Sequence, residues 1–226
     1  MYAFRTRHGP ADLCFTDRSG GDLALAGDPA ALARVLDDFA PGALLCDLVQ
    51  VHGEHVDVVE DRRAGARPEG DALVTGRPDV VLMVRAADCV PVLFLAPEIG
   101  AVAATHCGRP GLLAGVVPRT VETLRAWGDT SITAWVGPHV CGACYEVPAL
   151  MQDEVADAVP AARATTSWGT PSLDLGAGVR AQLEERGVTV VDVSRCTRES
   201  ADLYSYRRDG DRAGRLAGLI RLWGSA

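Results

Sequence analysis

The feature that most constrains the fold is residues 80–108, VVLMVRAADCVPVLFLAPEIGAVAATHCG. Two apolar runs, residues 90–95 and 101–105, flank the connection Ala96-Pro97-Glu98-Ile99-Gly100. Short runs of this kind on either side of a Pro/Gly turn predict a β-hairpin. Pairing Leu95 with Ala101 in an antiparallel register puts Cys89 opposite Cys107, one place from His106. A slip of one residue puts Cys89 directly opposite His106, with Cβ atoms roughly 5 Å apart. On either register a thiol and an imidazole are expected to meet at the open end of one hairpin.

The rest of the chain reads as alternating strands and helices. Residues 1–22 form a strand-and-loop entry. Asp28 and Pro29 are a favourable N-cap and first helical residue, and Leu32, Val35, Leu36 and Phe39 give that helix its apolar face up to Pro41-Gly42. Residues 44–51 read as a buried strand ending at His52-Gly53, where the glycine would supply the turn. Residues 55–60 alternate as a short strand, and residues 61–70 form a solvated loop. Helices are expected over residues 111–127, 149–159 and 175–186, and strands over 130–136, 188–193 (buried) and 216–222. Without a repeat or linker, the pattern predicts one α/β domain over residues 1–226, a mixed β-sheet flanked by helices.

Composition narrows the function. A net charge of −8 argues against general binding to nucleic acid or an anionic membrane. No apolar stretch approaches the ~20 residues of a transmembrane helix, and the N-terminus lacks a secretory signal core, so a cytoplasmic protein is expected. Seven cysteines, an odd number, then read as reduced thiols, some of them ligands or nucleophiles.

His52, Cys89 and His106 each fall at a predicted strand end beside a turn. Three such ligands would hold zinc and leave its fourth position open, the mark of a catalytic rather than a structural site. Three unrelated core residues are the competing reading, since free cysteines are commonly buried and inert. A rival cluster is His139-Val-Cys141-Gly-Ala-Cys144, but a structural zinc usually needs two CxxC pairs and this chain has one. A redox dithiol opening a helix is a further minority reading, and this segment is expected to be a loop lining the pocket. In His52-Gly-Glu-His55, strand spacing would send the two rings to opposite faces, which leaves His55 a structural role.

Several motifs recur in an order that carries a resemblance: Gln50-Val-His-Gly53, Asp71-Ala-Leu-Val-Thr75, Ala87-Asp-Cys-Val-Pro91, His106 with Gly108, Gly137-Pro138, Tyr145-Glu146-Val147, Cys196-Thr197 and Ser205-Tyr-Arg-Arg-Asp209. Together they resemble the bacterial peptidoglycan-editing-factor and human laccase-domain family, long labelled polyphenol oxidase. The resemblance covers nearly the whole chain. It implies an α/β fold, zinc on His52, Cys89 and His106, and purine nucleoside chemistry. That chemistry is phosphorolysis of adenosine, inosine and methylthioadenosine, plus adenosine deamination, with nucleoside and phosphate as the small-molecule partners. One segment departs from the pattern. The family typically reads His-Ala-Gly-Trp-Arg-Gly, whereas this chain has His106-Cys-Gly-Arg-Pro-Gly111. If the usual arginine binds substrate, Arg109 would have to replace it from a shifted position.

A four-copper oxidase fails on ligand supply, because the chain has five histidines and no HxH pair. Copper(II) at the His/Cys trio in vitro remains compatible with the donor set. For phosphorolysis, Arg85, Arg109 and Arg207 are the candidate phosphate clamps, and Asp88 and Asp71 the candidate proton carriers. Either aspartate could equally cap a turn. Zinc-assisted amide hydrolysis on a cell-wall precursor is the alternative, and a zinc-stabilised binding module a third. Oligomeric state is left open.

Overall fold

The computed structural model describes residues 1–60 and 67–223, so the solvated loop expected over residues 61–70 lies partly outside the described residues. The strands in chain order are β1 (Tyr2–His8), β2 (Ala11–Thr16), β3 (Leu44–Cys46), β4 (Val56–Val58), β5 (Ala72–Thr75), β6 (Val80–Ala86), β7 (Val90–Ala96), β8 (Ala101–Cys107), β9 (Thr133–Val136), β10 (Arg163–Thr165), β11 (Pro171–Leu173), β12 (Thr189–Asp192) and β13 (Leu216–Leu222). The helices are α1 (Pro29–Phe39), α2 (Arg109–Ala114), α3 (Val116–Arg125), α4 (Ala149–Ala158), α5 (Leu175–Glu184) and α6 (Tyr206–Asp209).

The strands form two mixed sheets and a small β10–β11 hairpin. One sheet runs β1-β2-β13-β6-β3, the other β12-β9-β7-β8-β5-β4. The pairs β3–β6, β4–β5 and β12–β9 are parallel and the remainder antiparallel. Side-chain alternation explains the layering. In β7, Val92 and Phe94 pack with residues of α3 and α5, while Leu93 and Leu95 pack with residues of the other sheet. In β6, Val80, Leu82 and Val84 join that inter-sheet core, and Val81 and Met83 turn to Val35 and Phe39 of α1. Both central strands are buried on both faces, which is why they read as continuous apolar runs. The result is an α/β fold of two stacked mixed sheets with helices on the outer faces.

Several expected boundaries differ, each for a local reason. The β7–β8 register pairs Ala96 with Ala101 and Val90 with Cys107, so Pro91, and not Cys89, faces His106. The turn is tighter than expected: Gly100, at φ 57°, closes it by donating to the Pro97 carbonyl. The strand over residues 44–51 stops at Cys46, because Asp47 leaves the ladder to take Arg85 and Arg67 in ion pairs. The helix over residues 111–127 is two helices, broken at Gly115 in a left-handed conformation (φ 86°). The N-terminal loop contains a further strand, β2, buried throughout. β12 is a half-exposed edge strand, not a buried one.

Candidate metal centre and cleft

Asp71, fully buried just ahead of β5, organises the centre. Its Oδ1 accepts from the His106 ring at Nδ1 (2.8 Å) and from the His52 backbone N–H (3.0 Å). Its Oδ2 accepts from the N–H groups of Gly53 (2.7 Å) and Val51 (3.3 Å). One carboxylate therefore fixes both a ring and the loop that carries the second ring. With Nδ1–H committed to Asp71, Nε2 is the His106 nitrogen left to face a metal. Sequence reasoning placed the sharp turn at Gly53. The left-handed residue is His52 itself, at φ 61°. A non-glycine residue there costs on the order of 1–2 kcal/mol, which the three N–H bonds to Asp71 offset.

Cys89 reaches the same spot although it does not pair with His106 in the ladder. It follows Asp88, whose positive φ of 92° turns the chain just before β7. Asp88 is fastened on three sides. Its carboxylate accepts from the Thr197 hydroxyl and from the Arg207 N–H, each at 2.6 Å, and its carbonyl accepts from Val140 N–H at 3.0 Å. The donor atoms of His52, Cys89 and His106 all lie within 4.8 Å of one another. Cys89 Sγ is 3.8 Å from His52 Nε2, and the two imidazoles meet edge to face at 4.8 Å between centroids. Gly108 makes room for them. A Cβ there would come within 2.5 Å of the His52 ring and 3.2 Å of Cys89 Sγ.

The electrostatics of the metal-free trio follow from this packing. Burial alone would push the Cys89 thiol up, but the His106 and His52 rings outweigh it and hold the thiol below its usual range. Burial would likewise lower His106, yet the Cys89 thiolate and Asp71 raise it. Asp71 ends below the ordinary carboxylate range, since its hydrogen bonds outweigh the cost of burial. The metal-free centre thus favours a thiolate beside a protonated His106, and a soft cation bound there would displace the proton from His106 Nε2. Neighbouring Cys107 differs, because burial and the nearby negative groups push its thiol well up.

A cleft of ≈ 1060 Å³ opens on the trio. Its lining also includes Tyr145, Tyr206, Arg85, Arg207 and Arg215. Arg85 is buried and its Nη2 is paired with Asp47 at 2.7 Å, leaving Nη1 without a partner. Arg207 is exposed, its guanidinium 4.4 Å from the Tyr145 ring centroid and its Nη1 donating to the Glu146 carbonyl. Arg109, at the start of α2, is not among the residues that line the cleft. The structure thus brings together His52, Cys89, His106, Asp71, Asp88, Arg85 and Arg207, but not Arg109. Sequence reasoning gave no role to Tyr145, Tyr206 or Arg215. The tyrosines stood inside recognised motifs, but no local spacing places them at His52. The Cys141–Cys144 segment was expected to line the pocket, yet it brings only the adjacent Tyr145 there.

The chain matches the family model described as "Multi-copper polyphenol oxidoreductase laccase" over residues 29–223. The chain belongs to this family. Similar proteins include one from Streptomyces coelicolor named purine nucleoside phosphorylase, 47% identical, with 92% of this chain and 94% of that protein covered. Another of that name from Mycobacterium bovis is 43% identical over 90% of this chain and 82% of its own length. Among solved structures, a Neisseria meningitidis protein of the family DUF152 superposes with a TM-score of 0.84 at 29% identity, covering 98% of this chain and 99% of that one. The resemblance carried by the motifs is therefore correct, and the α/β fold with mixed sheets is that of the family's solved members. No helix among the described residues is long and apolar enough to cross a membrane.

Proposed function

We propose that this chain is a zinc-dependent purine nucleoside phosphorylase that also deaminates adenosine. The names of its relatives support the first activity, and one observation of the chain itself carries the reading. Two imidazoles and a thiolate, oriented from behind by a buried carboxylate, face a cleft large enough for a nucleoside and phosphate together. The donor set fits zinc. His106 is held with Nε2 left to face a metal, the thiol is disposed to ionise, and three protein ligands leave one coordination position open. A zinc ion bound there would supply concentrated positive charge at the cleft floor. Copper(II) would suit the same donors in vitro.

The chain's own residues supply the remainder. Tyr206, half exposed in the lining, offers a flat apolar face for a purine ring, and Arg207, stacked on Tyr145 with Arg215 nearby in the lining, supplies positive charge for phosphate. In the reaction a phosphate oxygen bonds to C1′ of the ribose as the C1′–N9 bond breaks. The bonding pair leaves with the base, which takes up a proton. Asp71 and Asp88 have their carboxylates filled by hydrogen bonds, so this reading makes them positioning residues. Asp71 orients His106 and His52, while Asp88 fixes the backbone of Arg207. Arg85 is neutralised by Asp47, which leaves Arg207 the better-placed clamp and takes that part from Arg109.

Incubation of the purified protein with adenosine or inosine, with and without phosphate, followed by separation of products, tests the proposal. Adenine or hypoxanthine should appear together with ribose 1-phosphate only when phosphate is present, and inosine should appear from adenosine without it. Base release equal in the two conditions would refute the phosphorylase and mark a nucleoside hydrolase, and no release at all would favour an amide hydrolase acting on a cell-wall precursor.

A further inference from the structure

Away from the cleft floor, four ligating side chains converge from two loops. Cys141 and Cys144 lie between β9 and α4, and Cys196 and Glu199 lie between β12 and α6. One donor atom from each, three sulfurs and a carboxylate oxygen, lies within 4.8 Å of all the others. The sequence shows one CxxC, which by itself argues against a structural metal. The fold supplies the missing pair in altered form. Cys196-Thr197-Arg198-Glu199 repeats the two-residue spacing with a carboxylate in place of the last thiol.

Each pair sits on a tight turn. The N–H groups of Cys144 and Tyr145 donate to the Cys141 carbonyl at 3.0 and 3.1 Å, and Ser200 N–H donates to the Cys196 carbonyl at 3.0 Å. Turns of this kind bring residues i and i+3 to one side, as in the paired knuckles of structural zinc sites. A parallel bridge between His139 and Cys196 joins the loops. Cys141 N–H points to Cys196 Sγ at 3.5 Å, and the Cys144 thiol to a Glu199 oxygen at 3.3 Å.

We infer that Cys141, Cys144, Cys196 and Glu199 form a second, structural zinc site, distinct from the His52–Cys89–His106 trio. Four protein ligands close a tetrahedral shell and leave no position for substrate, which separates this site from the open one. Three thiolates select zinc over the harder divalent cations. A disulfide between two of the cysteines would use neither the third thiol nor the carboxylate. The site's position gives it a task. Tyr145, next to Cys144, lines the cleft. Thr197, next to Cys196, donates to Asp88, whose second oxygen holds the backbone of Arg207. The metal therefore staples together the two loops that carry the tyrosine and the arginine of the cleft wall.

Zinc content per chain, measured on the full-length protein purified under reducing conditions, tests this directly. The wild type should hold two zinc ions, and Cys196→Ser and Cys89→Ser one each. Cobalt(II) replacement adds a second readout. The thiolate-to-cobalt absorption lost in Cys196→Ser should exceed that lost in Cys89→Ser, since three thiolates contribute against one. Should Cys196→Ser fail to fold, Glu199→Gln should still lower affinity for one zinc at least tenfold in a chelator competition. A single zinc lost in Cys196→Ser but kept in Cys89→Ser supports this site and counts against the trio. The inference is overturned if neither Cys196→Ser nor Glu199→Gln changes zinc content or affinity. It is equally overturned if the denatured, unreduced protein shows fewer than seven reactive thiols because Cys141 or Cys144 is bonded to Cys196.

Discussion

Asp71 is the residue on which the centre turns, because its carboxylate accepts four hydrogen bonds and two of them bear on metal-competent histidines. Replacing Asp71 by Asn keeps the size and one oxygen but removes the charge behind His106. Such changes behind a metal ligand typically cost 10–100-fold in affinity. Asp71→Asn should therefore weaken zinc binding by roughly that factor in a chelator competition; unchanged affinity would show that Asp71 only shapes the loop. Gly108 makes a different demand. Its φ of −85° suits any residue, so only space requires the glycine. An added Cβ would stand 2.5 Å from the His52 ring, and Gly108→Ala should displace that ring. The expected outcome is loss of one zinc per chain, that of the trio, with the far-ultraviolet circular dichroism spectrum unchanged. Retention of a full zinc complement would mean that His52 is not a ligand. Neither role was legible beforehand. Asp71 stood as a proton carrier or turn cap because its partner His106 is thirty-five residues away.

Elements whose signals are local were legible, and those set by distant partners were not. The Asp28 cap and Pro29 announce α1, and the Asp28 side chain does accept from Ala30 N–H. The β7–β8 hairpin was legible from its turn, but its register was not, because one residue of strand or turn at Ala96 decides it. β3 was overextended because Asp47 looks like any strand residue until Arg85, thirty-eight positions on, is seen to claim it. The break between α2 and α3 hangs on Gly115 in the left-handed region. A Cβ there meets nothing closer than 3.8 Å, so the cost of Gly115→Ala is backbone strain alone, on the order of 1–2 kcal/mol. For a chain of this size that corresponds to a fall in Tm of roughly 2–8 °C. Calorimetry of the variant would show it; a Tm equal to or above the wild type would mean that the two helices can merge without loss.

At the scale of the whole molecule, the two-sheet stack gathers the ends and loops of several elements into one cleft. His106 comes from β8, Cys89 from the approach to β7, and His52 from the loop before β4. Arg207 arrives from α6 near the far end of the chain. The trio was nameable from sequence because each member sits in a recognised motif. Its Asp71 and Asp88 supports, the Tyr145 and Tyr206 walls and the Cys196–Glu199 half-site depend on long-range packing that periodicity does not encode. The trio is proposed to carry phosphate-dependent cleavage of a purine nucleoside. The most direct measurement is hypoxanthine release from inosine at saturating phosphate by zinc-loaded wild type and Cys89→Ser, alongside their circular dichroism spectra. Phosphate-dependent release is expected from the wild type, with a loss of at least a hundredfold in a Cys89→Ser protein that keeps its fold. Release by Cys89→Ser at the wild-type rate would contradict that role for the trio.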